Sequence, residues 1–196
     1  MALGLSWTGA VHAEASVDAL RVARAAIVAR DTQGHPFAIV DKRGARVHVF
    51  DADGKLMASS PVLLGLAKGD DSVPGIGERP MAQILPKERT TPAGRFVSEP
   101  GRNLQGEDIV WIDYNAAVSM HRVRATKKEE RRLQRLATPT VADNRISYGC
   151  INVPAAFYDR HIKPVLGSAK GVVYVLPEAG PLEGRFAFLD TATRSD

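Results

Sequence analysis

The sequence predicts a mainly β domain of sandwich or barrel type with a few peripheral helices. Three observations carry that expectation. From Phe37 onward, apolar residues recur at every second position, the period at which strand side chains share a face. The short runs are separated by Gly-containing turns such as Lys42-Arg43-Gly44 and Asp51-Ala52-Asp53-Gly54. Helical periodicity is confined to three places: near the N-terminus, around residues 129–136, and after Pro154. The chain has 196 residues, 44% apolar and 24% charged, a composition ordinary for a globular protein of one domain with short extensions.

Residues 1–16 read as a truncated export signal. Leu3, Leu5, Trp7 and Val11 make the segment mildly apolar, and Val11-His12-Ala13 has small residues where a signal peptidase cuts, although a basic leader is missing. That reading makes the protein periplasmic or exported. Residues 17–36 hold a helix laid on the domain, with Leu20, Ala23 and Ile27 at three- and four-residue spacing and Ser16 as its cap.

Residues 37–177 form the main domain. Its first strands are Phe37-Ala38-Ile39-Val40-Asp41, Arg46-Val47-His48-Val49-Phe50 and Leu56-Met57-Ala58-Ser59-Ser60, with His48 expected to face solvent. Residues 61–86 are rich in Gly and Pro and read as a long loop. Thr90-Thr91-Pro92-Ala93-Gly94-Arg95-Phe96 is a turn feeding a core strand. Asp108-Ile109-Val110-Trp111-Ile112-Asp113-Tyr114 has the β-branched and aromatic content of a buried strand, and a second apolar run ends at His121. Thr126-Lys127-Lys128-Glu129 carries a capping-box pattern ahead of a charged helix over 129–136. A helix over 154–163 follows the only cysteine, Val172-Val173-Tyr174-Val175-Leu176 is the last strand, and 178–196 reads as a C-terminal tail.

Several functions find no support. No stretch approaches the roughly 20 apolar residues of a spanning helix, so no membrane span is expected. The formal charge of +4 favours anionic partners only through long-range steering. The basic helix is interrupted by Glu129 and Glu130 and lacks an aromatic stacking set, which argues against nucleic acid. Asp51 and Asp53 begin like a calcium loop without the ligand set that would complete it. Gly75-Ile76-Gly77 lacks the Lys-Ser/Thr of a phosphate loop. No metal and no cofactor is expected.

The chemistry gathers at Ser147-Tyr148-Gly149-Cys150-Ile151-Asn152, which holds the single cysteine of the chain. A thiol near its reference pKa of about 8.5 is mostly protonated at neutral pH and needs a base or a positive neighbour to react. His121, distant in sequence, ends an apolar run and is the natural candidate. Gly149 lets the backbone turn tightly, so that the amides around Tyr148 to Cys150 can face a developing oxyanion. A helix beginning at Pro154 would add its N-terminal dipole in favour of a thiolate. Arg145 has the planar fork that suits a substrate carboxylate, and the alternative is an ion pair with Asp143 or another acidic neighbour.

His121 followed by Ser147-Tyr148-Gly149-Cys150-Ile151-Asn152 resembles the signature of the L,D-transpeptidase (YkuD-type) catalytic domain. The likeness covers residues 37–177 and includes the Thr-Pro-x-Gly-x-Phe segment at Thr91 to Phe96. Three features depart from it. Tyr148 stands where the family usually has His, Arg122 stands where Gly follows the first His, and the 25 residues 122–146 form a longer spacer than usual. The resemblance implies Cys150 as nucleophile and His121 as base; beside them, Ser147, Tyr148, Gly149 and Asn152 are expected to shape the site, and Arg145 and Arg122 to bind substrate. It further implies peptidoglycan stem peptides as substrate, acyl transfer to an amine through a thioester, and carbapenem-type inhibitors. An L,D-carboxypeptidase or amidase on the same substrate, and a non-catalytic wall-binding module, are the alternatives.

Overall fold

Period-two patterning resolves into one strongly curved sheet. In the computed structural model, which describes residues 14–192, ten strands follow the chain: β1 Phe37–Asp41, β2 Arg46–Phe50, β3 Leu56–Pro61, β4 Leu64–Gly65, β5 Gly94–Arg102, β6 Asp108–Asp113, β7 Val118–Arg122, β8 Arg145–Ser147, β9 Ile151–Val153 and β10 Gly171–Val175. Eight of them form a sheet ordered β3-β2-β1-β10-β5-β6-β7-β9, and β4 pairs with β8. Just beyond edge strand β3, Leu63 exchanges two 2.9 Å backbone hydrogen bonds with Asn152 on the opposite edge strand β9. The two edges are thereby tied together and the sheet is a nearly closed barrel. The export-signal reading falls on residues 1–13, which lie outside the described residues.

Alternation along β1 and β10 feeds two cores. Ala38, Val40, Val173 and Val175 point into the barrel with Val110, Met120, Ile151 and Val153. Phe37, Ile39, Val172 and Tyr174 point outward and pack with helix α1 (Val17–Val28), which brings Ala19, Val22, Ala23 and Ala26. Small alanines on the helix allow the close approach to the sheet. Ser16 caps α1 as expected, its Oγ accepting from the Ala19 N–H at 3.2 Å.

Four expectations are corrected here. His48 does not face solvent. It lies in register with Ile39, on the face that carries Phe37 and Phe50, and is 1% exposed with Nδ1 2.7 Å from Ser59 Oγ. Burial pushes its pKa down to about 4, so this histidine is neutral at physiological pH. The segment after Glu178 is no loose tail: Leu182, Phe186 and Leu189 are buried in the outer core, and helix α5 (Ala187–Ala192) closes it. The charged spacer helix is split. A short 3-10 turn spans Lys128–Glu130, Arg131 takes a left-handed φ of 50°, and α2 runs Arg132–Ala137 without the capping box. The helix after the thiol begins only at α3 (Ala155–Phe157), widens into a π turn at Tyr158–Ile162, and ends as α4 (Lys163–Leu166). Strand β9 carries the chain roughly 10 Å from Cys150 before that helix starts, too far for its dipole to tune the thiol.

Candidate active site

The parallel pairing of β7 with β9 assembles the site from two separate stretches of sequence. The register sets Met120 against Ile151, His121 against Asn152 and Arg122 against Val153. Met120 and Ile151 enter the barrel core, so the alternate positions point to the other face. Ser119 and His121 share that face on β7, and Asn152 shares it on β9, with Cys150 two residues before. Cys150 is partly exposed there.

The loop before β9 is held by its own side chains. The Ser147 hydroxyl donates to the Cys150 carbonyl at 2.6 Å and accepts the Gly149 N–H at 3.1 Å. From below, the Thr91 hydroxyl donates to the Gly149 carbonyl at 2.8 Å and accepts the Gly65 N–H at 2.8 Å. Gly149 has φ +132°, and a β-carbon there would sit 2.9 Å from the Thr90 carbonyl oxygen. Only glycine fits a backbone so bent and so closely packed.

His121 Nδ1 lies 2.8 Å from the Arg122 carbonyl oxygen, so this nitrogen carries the ring hydrogen and Nε2 is left as the acceptor. Cys150 and His121 act on one another. Burial pushes the thiol pKa up, but its hydrogen bond to His121, the imidazole charge and contacts with Ser119 outweigh burial and bring it below the ordinary value. Burial likewise pushes the His121 pKa down, and its interactions with Cys150, together with its bond to the Arg122 carbonyl, overcome this and raise it. Each partner therefore favours the charged form of the other. Ser119 Oγ stands 3.7 Å from the sulfur, and the Ala117 carbonyl accepts from the thiol at 3.7 Å. Asn152 is buried, with Nδ2 at 3.3 Å from His121 Nε2 and 3.3 Å from the Cys150 carbonyl.

These groups open into a cleft of about 260 Å³. His121, Ser147, Tyr148, Cys150 and Asn152 form its base, while Arg124, Thr126, Lys127, Glu130 and Arg132 from the long spacer form a wall and Met81 reaches in from the Gly/Pro-rich segment. Tyr148 is steadied by the Arg89 guanidinium, which lies 3.8 Å above its ring. The wall carries three cations against one carboxylate.

Two expected substrate binders lie elsewhere. Arg145 is 7% exposed and forks onto Glu178 at 2.6 and 3.2 Å, with a further bond to the Lys42 carbonyl. Arg122 pairs with Asp108 and Asp159 and lies 4.4 Å over the Tyr158 ring. Neither lines the Cys150 cleft, because each is drawn to carboxylates outside it. Sequence reasoning missed Ser119 and Arg132. Ser119 was detectable, since its two-residue spacing from His121 places both on one strand face. Arg132 was not, because only the fold of the spacer brings it to Asn152.

Among the described residues, no group of three or more His, Cys, Asp or Glu side chains is placed to hold a metal ion, and no helix is long and apolar enough to cross a membrane.

The sequence matches no family profile and no curated protein sequence. In structure the chain is similar to an L,D-transpeptidase from Mycobacterium smegmatis, at 14% identity and TM-score 0.41, over 72% of this chain and 58% of that one. It is similar to the helical cell shape determining protein Pgp2 from Campylobacter jejuni, at 14% identity and TM-score 0.46, over 74% of this chain and 49% of that one. It is also similar to the catalytic domain of the Enterococcus faecium L,D-transpeptidase, at 19% identity and TM-score 0.39, over 73% of this chain and 98% of that one. The matched region spans 58% and 49% of the first two structures.

Proposed function

We propose that this protein is a cysteine acyltransferase of the cell wall, which takes the acyl group of a peptidoglycan stem tetrapeptide and passes it to an amine. One observation carries the chemical part of this reading. Cys150 and His121 meet on one strand face, with the thiol pKa lowered, the imidazole pKa raised, and the ring fixed by Nδ1 on the Arg122 carbonyl. A single reactive thiol beside an oriented imidazole in an open cleft is the arrangement that nucleophilic acyl transfer needs. The substrate class follows from the resemblance of His121 and Ser147-Tyr148-Gly149-Cys150-Ile151-Asn152 to the L,D-transpeptidase signature, and an exported or periplasmic location from the signal-like sequence of residues 1–16.

The steps follow from the geometry. His121 Nε2 takes the thiol proton, and the Cys150 sulfur attacks the donor carbonyl to give a tetrahedral oxyanion. Of the three amides in the Tyr148 to Cys150 loop, Gly149 is engaged by Ser147, so the Tyr148 and Cys150 N–H groups are the ones that receive the oxyanion. The C–N bond then breaks, the amine leaves with the proton from His121, and a thioester remains on Cys150. An acceptor amine attacks the thioester and gives a proton to His121, which passes it to the departing sulfur, so that the new amide leaves and the free thiol is restored. Water in place of the amine gives a carboxypeptidase or amidase by the same half-reaction.

Incubation with purified stem tetrapeptide fragments, with and without an amine acceptor, tests the reading by mass spectrometry of the products. A cross-linked product that needs the acceptor is expected, whereas a shortened peptide in both arms would make the enzyme a hydrolase. A carbapenem should add one inhibitor mass per chain, mapped to Cys150, because the strained lactam presents the same carbonyl. Absence of any product and of any adduct would overturn the enzymatic reading in favour of a wall-binding module.

A further inference from the structure

Since His121 keeps its own hydrogen on Nδ1, Nε2 is the ring atom that receives the Cys150 proton. Asn152 sits beside it with Nδ2 at 3.3 Å, while Asn152 Oδ1 accepts from Arg132 Nη1. A guanidinium offers donors only, so the amide is held with its oxygen toward Arg132 and its NH₂ toward the ring. A neutral Nε2 finds a donor there and is satisfied. A protonated Nε2–H meets a second donor. Arg132 is itself held by Glu130 at 2.5 Å and lies at the start of α2, inside the long spacer. Asn152 Nδ2 also donates to the Cys150 carbonyl at 3.3 Å, so the orientation of the amide beside the dyad is set both by the thiol loop and, from outside the strands, by Arg132.

We propose that Arg132 is a positioning residue which, by holding the Asn152 amide, restrains proton transfer from Cys150 to His121 and so sets the fraction of reactive thiolate. The other charged or titratable groups around the dyad are Arg124 and Lys127 on the cleft wall, Glu130 beside Arg132, and Tyr148 on the thiol loop. Arg132 exerts two effects of opposite sign. As a positive charge it favours the thiolate, and its removal would raise the thiol titration. As the anchor of Asn152 it opposes the imidazolium, and its removal frees Oδ1 to turn and accept from Nε2–H. The second effect is a directional hydrogen bond to a charged ring and the first is a charge already paired with Glu130 at 2.5 Å, so the anchor prevails.

The inference rests on the Cys150–His121 pairing, and one experiment tests the two separately. The chain has a single cysteine, so the rate of alkylation by iodoacetamide as a function of pH reports the Cys150 titration directly, without turnover. His121→Ala should move that titration to higher pH. Arg132→Met should move it lower, by about one pH unit, Arg132→Lys should restore the wild-type midpoint, and in an Asn152→Ala background Arg132→Met should move it no lower. If Arg132→Met does not fold, Arg132→Ala makes the same comparison. A midpoint that rises or stays put on loss of Arg132, or an acid shift that persists without Asn152, would overturn the positioning role while leaving the dyad standing. An unchanged midpoint in His121→Ala would overturn the dyad itself.

Discussion

Two polar clusters lie on either side of the same short stretch of chain, and their difference separates architecture from chemistry. Arg145 opens β8 and belongs to a buried network with Lys42, Asp70 and Glu178. Cys150, five residues on, belongs to the cleft with His121, Ser119 and Asn152. In the network, Lys42 is fully buried and donates to Asp70 at 2.8 Å and to the Gly69 and Thr91 carbonyls, while Asp70 also takes the backbone N–H groups of Glu178, Ala179 and Gly180. Burial alone would raise the Asp70 pKa. The Lys42 ammonium and those N–H groups hold it well below the usual carboxylate range instead. The network clamps the segment after β10 to the Gly/Pro-rich segment and to β8. In the cleft, by contrast, the sulfur is partly exposed, its contacts are long at 3.7 Å, and its protonation is balanced against that of a neighbour. Closely satisfied charge holds structure, and loosely held charge in reach of solvent does chemistry.

The largest effect should come from the cleft. Cys150→Ala should abolish turnover, since the chain has no other thiol, while unfolding midpoints stay close to wild type. Wild-type-like activity in the folded variant would erase the distinction between the clusters. Next in size, His121→Ala should lower kcat by about 10²–10⁴-fold, the usual contribution of a positioned base. Because His121 pulls the thiol pKa down, the residual rate should rise toward alkaline pH. His161, whose ring lies tilted against Phe157 at 4.8 Å, should be replaceable by Ala with little kinetic effect. The opposite result for the two histidines would assign the base to the wrong element.

The buried network should respond in the opposite currency, stability rather than rate. Asp70→Asn leaves the buried Lys42 ammonium with only the more distant Glu178 carboxylate, at 3.8 Å, as counter-charge and should cost about 3 kcal/mol of unfolding free energy, measured by denaturant titration. The sign of its pH dependence follows from the depressed pKa. A carboxyl held below its unfolded value contributes stability above about pH 4 and loses it as the pH falls through the folded pKa. Wild-type stability should therefore fall steeply in acid, and Asp70→Asn should fall less. A variant that keeps its stability but loses turnover would place the network in the active site after all.

The same contrast explains what could be read from the chain alone. Strands β1 and β2 were readable to the residue, because alternation and Gly turns are local signals. The Cys150–His121 pair was readable because a lone thiol needs a base. Arg145 stayed open between a substrate carboxylate and an acidic neighbour, because its partner, Glu178, is 33 residues away in a segment that looks like a tail. His48 was misread because alternation predicts one wet face, and a helix covers that face here. Long-range pairing carries no local pattern.

The smallest expected effect concerns the spacer, the part of the cleft with the least precedent in the motif. Arg124, Lys127, Glu130 and Arg132 form its wall, yet the segment is tied down by its own contacts. Arg135 donates to the Glu130 and Asp143 carbonyls, and the Thr138 hydroxyl to the Asp143 carboxylate. Among its residues with described side chains, Leu136 is buried, while Leu133 stays 57% exposed, so it adds little to either core. Replacing residues 126–137 with a short Gly/Ser linker should therefore leave global stability within about 1 kcal/mol, since surface changes away from buried features are usually small. It should raise KM for an anionic stem peptide by up to roughly tenfold, the equivalent of one or two surface charge contacts, and change KM less for a neutral analogue. The loss of Arg132 adds a second signature, an acid shift in the thiol titration. A KM rise of equal size for charged and neutral substrates would reduce the wall to a steric boundary. A large loss of stability would instead make the spacer part of the architecture and move it to the other side of the comparison.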